Sequence, residues 1–214
     1  MRPPGKGLGE EKIYFTPNLS HLCCINNPVP VDVITEIIQN CIRGHRDSQS
    51  RLYQMYAPGM FVVCQRYARS REDAEDILQE GFIKVFRHIS QFRFNGSFEG
   101  WMRRIMVNTA LQKYRSQTHL HVISDGGDHS NDHFIDEEIS MHIGMKELIA
   151  LIQQLPTAYR VVFNLYVFEG MKHKEIALRM GITEGTSKSN LHDARQQLQK
   201  AILRSGEKAK LKVF

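Results

Sequence analysis

Apolar residues recur at helical spacing along most of the chain after residue 31. The clearest repeat follows Ser70, where apolar side chains fall on one helix face as far as Ile89, with acidic residues first and basic residues last. Serine is a favoured helix N-cap, and this order of charges suits the helix dipole. We therefore predict a helix that begins at Ser70 and packs one face into a core.

Weaker repeats predict further helices on both sides of this one. A first helix ends at Gly44, and two shorter helices follow it, separated by Pro58 and Gly59. A later helix carries Trp101, which we expect in the core because a lone tryptophan on an apolar face usually packs there. The sequence lacks the alternation that predicts β-strands, so the expected fold class is all-α.

Two polar segments divide the predicted helices into two small helical domains. Residues 1–31 are rich in proline and glycine without a helical repeat, which predicts a disordered leader. Acidic and small polar residues fill 118–142, which predicts a flexible acidic linker. The two domains expected around this linker cover 32–117 and 143–205, and a basic tail follows over 206–214.

Composition and charge narrow the choice of partners only slightly. The formal net charge of +5 and the pI of about 9.0 favour a polyanionic partner mildly. Four cysteines without paired spacing indicate reduced thiols, and no run of about 18 apolar residues predicts a membrane span. The histidines around the linker lack regular metal-ligand spacing: His119, His121, His129, His133 and His142. We expect a cytoplasmic protein with no membrane insertion, no metal and no cofactor.

The segment from Lys174 to Lys200 has the pattern of a helix-turn-helix. Ala177 is small where two helices would cross, Gly181 suits a turn with positive φ, and Thr183 is a plausible N-cap for the second helix. That helix would expose the side chains expected to touch DNA: Lys188, Ser189, His192 and Arg195. Taken alone, the motif is equally compatible with an ordinary three-helix core that binds no DNA.

The order of both domains resembles the extracytoplasmic-function subfamily of bacterial RNA polymerase sigma factors, which belongs to the sigma-70 family. The resemblance runs from about Ile34 to Ile202. In the first domain the family's region 2 pattern is carried by Asp73 to Phe86, Phe92-Arg93, Phe98, Trp101, Arg104-Ile105 and Val107 to Ala110. In the second the region 4 pattern is carried by Leu155-Pro156, Tyr159-Arg160, Phe163, Glu169-Gly170, Glu175 to Ala177 and Gly181 to Ser189.

Several positions depart from the family pattern. Phe94 stands where the family often has glycine, and Ser187 replaces a usual apolar residue. Asn190 and Asp193 stand where basic residues are frequent, which would thin the basic face of the second helix. The promoter consensus, the regulon and the inducing signal are therefore not predicted, nor is the identity of an anti-sigma factor. The long leader is also atypical, and whether it is translated in the cell is left open.

The resemblance implies a non-enzymatic subunit with three tasks. Core RNA polymerase would be held through the clamp coiled coil of its largest subunit by Asp73, Asp76, Gln79 and Glu80, and region 4 would meet the β flap. The minus-ten element would be melted and read by Phe94, Asn95, Ser97, Arg104, Asn108, Lys113 and Arg115. The minus-thirty-five element would be read by Lys188, Ser189, His192 and Arg195. Promoter DNA and an anti-sigma factor complete the expected partners.

Simpler interpretations of the same residues remain open. Acidic residues in a first helical turn favour the helix dipole without any partner. Lys113 and Arg115 would equally serve to solvate their helix, and the acidic linker is either a tether or a segment that enters a basic polymerase channel. Two rival functions are a stand-alone regulator that binds palindromic DNA and a sigma mimic that binds only a regulator. No nucleophile, P-loop or metal-protease spacing supports an enzyme.

Overall fold

The computed structural model describes residues 31–119 and 144–211, with side chains described over 33–115 and 144–204. Nearly all of the predicted leader and of the predicted linker lie outside the described residues, and Val31, predicted as the last leader residue, begins the first helix. Within them the chain forms eight α-helices, one 3-10 helix and no strand, which confirms the all-α fold. The helices are α1 Val31–Ile42, α2 Arg46–Tyr67, α3 Arg71–His88, the 3-10 helix Ile89–Gln91, α4 Phe98–His119, α5 Met145–Gln154, α6 Thr157–Val167, α7 His173–Met180 and α8 Glu184–Leu211. None of the described helices is both long and apolar enough to cross a membrane.

Helices α1 to α4 form the first domain around an apolar core. As the sequence predicts, Ser70 caps α3, and its side chain accepts a hydrogen bond of 3.2 Å from the backbone N–H of Asp73. Helix α3 packs closely on α4 at Gly81, where an added methyl group would overlap the side chain of Met106. Trp101 is half-buried and stacks on Phe98 with ring centroids 5.5 Å apart. The tryptophan therefore belongs to the edge of the core.

The predicted break at Pro58 and Gly59 is wrong, because α2 runs without interruption from Arg46 to Tyr67. Proline in a helix interior removes one backbone hydrogen bond. Pro58 is exposed here, so solvent can satisfy the carbonyl that loses its partner. Leu52 and Met60, on either side of Pro58, are both buried in the same core. Packing of both halves against shared neighbours outweighs the local preference for a break.

Helices α5 to α8 form the second domain, and the predicted turn residues stand where expected. Pro156 is the N-cap of α6, and Gly181 ends α7 in the left-handed conformation with φ of 69°. Thr183 accepts a 3.0 Å hydrogen bond from the backbone N–H of Thr186 at the start of α8. Helix α8 continues through Leu211, so its backbone includes the first part of the segment described above as a basic tail. Helices α5 and α6 also pack against α2, which joins the two domains.

Candidate functional site

The exposed face of α3 forms one wall of an open groove. Asp76, Gln79 and Glu80 are exposed there, as the polymerase-binding hypothesis requires. The groove has a volume of about 610 Å³ and is lined by Asp76, Gln79, Glu80, Ile83, Gln112 and Lys113. Ile83 is 58% exposed although it is a large apolar residue. The sequence analysis did not identify Ile83 as a site residue, although its position outside the apolar stripe of α3 indicates that it is exposed.

Asp73 lies apart from the other predicted polymerase contacts, because it faces α4. Its Oδ1 is 2.5 Å from the ammonium of Lys113, and its Oδ2 accepts a 2.9 Å hydrogen bond from the backbone N–H of Arg69. Partial burial raises the pKa of Asp73, but the hydrogen bonds from Lys113 and Arg69 outweigh it and lower the pKa overall. Lys113 also contacts Asp76 at 3.2 Å. Two side chains predicted to bind different partners therefore pair with each other.

The loop between the 3-10 helix and α4 presents an aromatic ring at the surface. Phe94 has φ of 56°, and its side chain is 45% exposed while its ring lies 5.0 Å from that of Phe92. A left-handed backbone is costly for residues with a Cβ and easy for glycine, which accounts for the glycine often found there in the family pattern. Asn95 and Ser97 are exposed beside it, and the Ser97 hydroxyl accepts a 3.3 Å hydrogen bond from the Gly100 N–H.

A polar face of α4 continues from this loop. Arg104, Asn108 and Arg115 are all exposed and follow one another at helical spacing. Asn108 accepts a 3.2 Å hydrogen bond from the guanidinium of Arg179, and Arg115 donates to the backbone carbonyl of Arg179. Lys113 lies on a different side of α4, in the groove with α3. The structure thus brings together three of the four α4 residues assigned to the minus-ten element.

Helix α8 carries the candidate recognition residues of the second domain. Lys188 and Arg195 are exposed, and Lys188 pairs with Glu184 at 2.9 Å. Ser189 is half-buried and donates its hydroxyl to the carbonyl of Thr186, and His192 is half-buried. Asn190 is buried, with 7% exposure, so it does not thin the basic face as the sequence suggested. Its side chain belongs to the interior of the domain.

Ser187 and His173 fix the position of α8 against α7. Ser187 is fully buried, and its hydroxyl lies 3.0 Å from Nδ1 of His173. The imidazole stacks on Tyr166 with ring centroids 4.7 Å apart, and the guanidinium of Arg195 lies over the same tyrosine at 5.6 Å. Burial and the nearby positive charges of Lys188 and Arg195 lower the pKa of His173, against a smaller opposing effect of Glu184. The sequence analysis did not predict the structural role of His173. The only indication was Ser187, a polar residue at a usually apolar position, because a buried polar side chain requires a partner.

Metal-binding residues do not cluster within the described parts of the chain, where no three His, Cys, Asp or Glu side chains converge. The side chains of the histidines around the linker lie outside the described residues. Cys41 and Cys64 are buried free thiols, whereas Cys23 and Cys24 lie outside the described residues.

Comparison with known proteins identifies both domains. The family model for sigma-70 region 2 matches residues 52–119, and that for sigma-70 region 4 matches 145–198. The ECF RNA polymerase sigma factor SigE of Mycolicibacterium smegmatis is 31% identical over 156 residues, which cover 71% of this chain and 60% of the relative. The RNA polymerase sigma-H factor of Pseudomonas aeruginosa is 28% identical over 178 residues, which cover 78% of this chain and 92% of the relative.

Two solved structures align with most of this chain at low similarity. The sigma factor RpoE of Bartonella quintana, solved with the anti-sigma factor NepR, covers 72% of this chain and 95% of its own with 19% identity and a TM-score of 0.44. CnrH, solved with the cytosolic domain of CnrY, covers 79% of this chain and 96% of its own with 17% identity and a TM-score of 0.42. On the two family models and the named relatives, the chain belongs to the extracytoplasmic-function subfamily of the sigma-70 family, whose members are non-enzymatic factors for promoter-specific transcription initiation.

Proposed function

We propose that this chain is an alternative sigma factor that acts in the cytoplasm, with region 2 opening the minus-ten element and region 4 reading the minus-thirty-five element. The observation that carries the proposal is the separation of three exposed surfaces on two domains. These are the α3–α4 groove, the Phe94 loop with the polar face of α4, and the outer face of α8. Each surface suits a different partner.

The groove suits the clamp coiled coil of core polymerase. Asp76, Gln79 and Glu80 offer carboxylate and amide groups to a basic, polar helix pair, and Ile83 adds an apolar contact beside them. Exposed apolar side chains ringed by polar groups are typical of protein interfaces. Asp73 supports the same surface indirectly, because its pairing with Lys113 joins α3 to α4.

The Phe94 loop suits an unpaired base. Stacking of a base on an aromatic side chain contributes about 1 to 3 kcal/mol, and the Phe94 ring is available at the surface for such a contact. Asn95 and Ser97 offer hydrogen-bonding groups for the base edge. Arg104, Asn108 and Arg115 would contact the neighbouring duplex. Lys113 would reach a phosphate only by leaving its two carboxylates.

Helix α8 suits the major groove of the upstream element. Lys188 and Arg195 supply positive charge, while Ser189 and His192 supply shorter polar groups between them. The β flap of polymerase would hold this domain in place, and the acidic linker would cross the polymerase between the two elements. An anti-sigma factor is the expected regulator.

Transcription with core polymerase tests the proposal. Purified chain plus core should initiate at defined genomic start sites, and free chain should bind duplex weakly. Asp76→Lys with Gln79→Lys should abolish core binding without unfolding the domain, whereas the matched surface pair Gln39→Lys and Glu36→Lys on α1 should not. Tight palindromic DNA binding by the free chain, with no start sites, would instead establish the regulator.

The division between the two elements has its own test. Lys188→Ala with Arg195→Ala should weaken promoter binding by about 1 to 3 kcal/mol for each lost base contact and leave strand opening intact. Phe94→Ala with Asn95→Ala should leave the closed complex intact and slow the appearance of permanganate-reactive thymines. Equal loss of duplex binding in both pairs, with unchanged opening, would contradict the assignment.

A further inference from the structure

Arg195 lies at the border of the buried stripe of α8. Leu191 and Leu198, one turn before it and one turn after it, are both buried in the domain. Residues three and four apart share a helix face, so the stem of Arg195 starts beside the seam between α8 and α6. Its side chain is nevertheless exposed at the surface. The position therefore combines a stem next to a packed seam with a charged group that DNA can reach.

The ring of Tyr166 holds this guanidinium. Tyr166 belongs to the last turn of α6, and the central carbon of the Arg195 guanidinium lies 5.6 Å from its ring centroid. At an exposed site, attraction between a cation and a ring face favours the stacked position by about two- to fivefold. The tyrosine ring carries no charge, so it holds the guanidinium without neutralising it. Arg195 thus keeps its full charge for a phosphate or a base edge.

Lys188, on the same helix, is held in a different way. Its ammonium lies 2.9 Å from the carboxylate of Glu184, one turn earlier on α8. An exposed ion pair of this kind contributes little to stability, yet the carboxylate competes with any phosphate for the same ammonium. The two basic side chains of the helix therefore differ, because an acid that DNA has to displace holds Lys188 and a neutral ring holds Arg195.

His173 in turn holds the ring of Tyr166. The imidazole stacks on this ring with centroids 4.7 Å apart and an angle of 25° between the planes. His173 is the first residue of α7, and the N–H of Lys172 just before it donates to the Glu175 carboxylate at 2.9 Å. Nδ1 of His173 lies 3.0 Å from the hydroxyl of the buried Ser187. A buried hydroxyl requires such a partner, so the imidazole cannot move away without leaving the hydroxyl unpaired.

We propose that Tyr166 is a positioning residue for DNA binding by Arg195, and that the Ser187–His173 pair fixes the tyrosine ring. The contacts begin in the first turn of α8 at Ser187, pass through α7 and α6, and return to α8 at Arg195. A side chain that is already held in its bound position loses less freedom on binding, so the complex is stronger. The proposal rests on the proposed function, because only a DNA-binding role for α8 gives Arg195 a ligand.

A double-mutant cycle on the full chain tests the coupling between Tyr166 and Arg195. The probe is a fluorescent random-sequence duplex of about 20 base pairs at about 50 mM salt, where phosphate contacts dominate the affinity. Tyr166→Leu should weaken binding about two- to fivefold, and it should have no effect in a chain that already carries Arg195→Ala. Tyr166→Phe keeps the ring and should bind as the wild type does. The control is Tyr159→Leu, at a half-buried tyrosine two turns earlier on α6, whose effect should not depend on Arg195.

A measurement without DNA decides the case in which Tyr166→Leu unfolds region 4. Nitrogen-15 relaxation of the arginine side chains should show the Nε–H group of Arg195 to be more ordered than that of Arg204, an exposed arginine of the same helix. Ser187→Ala removes the hydroxyl that holds the imidazole, so it should make Arg195 more mobile and leave Arg204 unchanged. Circular dichroism verifies that each variant remains helical.

The possible outcomes separate this proposal from the proposed function. The positioning role is refuted if Tyr166→Leu weakens binding equally with and without Arg195, or if the Arg195 side chain is as mobile as that of Arg204. It is also refuted if Arg195→Ala alone leaves the duplex affinity unchanged, since Arg195 would then not touch DNA. A chain that shows the expected coupling but initiates no transcription with core polymerase would instead refute the sigma function and leave the positioning role in place.

Discussion

The two domains differ in what fills their interiors. The first is held by apolar side chains such as Leu52, Met60 and Met102, which pack between α2, α3 and α4. Among its described polar side chains the first domain buries Arg66 and Thr109, whereas the smaller second domain buries four: Arg160, Asn164, Ser187 and Asn190. Apolar packing requires no specific partner outside the domain, whereas each buried polar group requires a specific hydrogen-bond acceptor or donor. The stability of region 4 therefore depends more strongly on specific hydrogen-bond partners.

Met102→Ala should cause the largest loss of stability, and this loss should be confined to region 2. Met102 is fully buried, and truncation of such a side chain costs about 2 to 5 kcal/mol. Urea unfolding followed by the fluorescence of Trp101, the chain's single tryptophan, reports on this domain. The half-buried Met55→Ala should cost clearly less. Equal costs would mean that Met102 is not packed as described.

Arg160→Met should lower the free energy of unfolding by about 1.5 to 3 kcal/mol, because hydrogen bonds from a charged donor are lost and buried carbonyls are left unpaired. Region 4 should unfold before region 2 in this variant. Loss of helix signal in circular dichroism should then begin at lower urea than the Trp101 transition. Arg69→Met is the control, since the Arg69 side chain is exposed and donates to the Thr157 hydroxyl at the edge of the contact between the domains. If Arg160→Met were neutral, the polar interior of region 4 would not carry its stability.

Acidification should cause the smallest loss of stability, and this loss should again fall on region 4. The pKa of His173 lies below its usual value of 6.5, so the unfolded chain binds a proton more readily than the folded one. The contribution of His173 is complete above about pH 6.5 and is lost as pH falls toward the lower folded pKa. Urea midpoints from circular dichroism at about pH 7.5 and 5.5 measure it. His173→Gln should reduce the pH dependence, and the exposed His45→Gln in region 2 should leave it unchanged.

The sequence predicts helices and caps well where the signal is local. Ser70, Pro156, Gly181 and Thr183 all stand at helix ends as expected, because each acts through its own backbone or the next turn. The break at Pro58 failed because distant packing decided it. Local signals of this kind are sufficient for the fold class, whereas the family resemblance depended on the order of motifs across both domains.

The sequence predicts which candidate site residues are exposed, but it does not predict which of them pair with each other. The exposure of Asp76, Gln79 and Glu80 follows from the apolar stripe of α3. The pairing of Asp73 with Lys113 joins residues on two helices, and no spacing rule connects them. The bond between Arg179 and Asn108 spans two domains, so its partners are even less visible in the sequence.

The modification rates of the two buried thiols report how often region 2 opens. Burial raises the pKa of Cys64 to about 12, so the reactive thiolate is very rare at neutral pH. Burial also raises the pKa of Cys41, on α1. Alkylating reagents should modify either sulfur only when the surrounding helices open, and the modification rate then reports the frequency of that opening. The protein thus carries its own probe of local unfolding, without any engineered label.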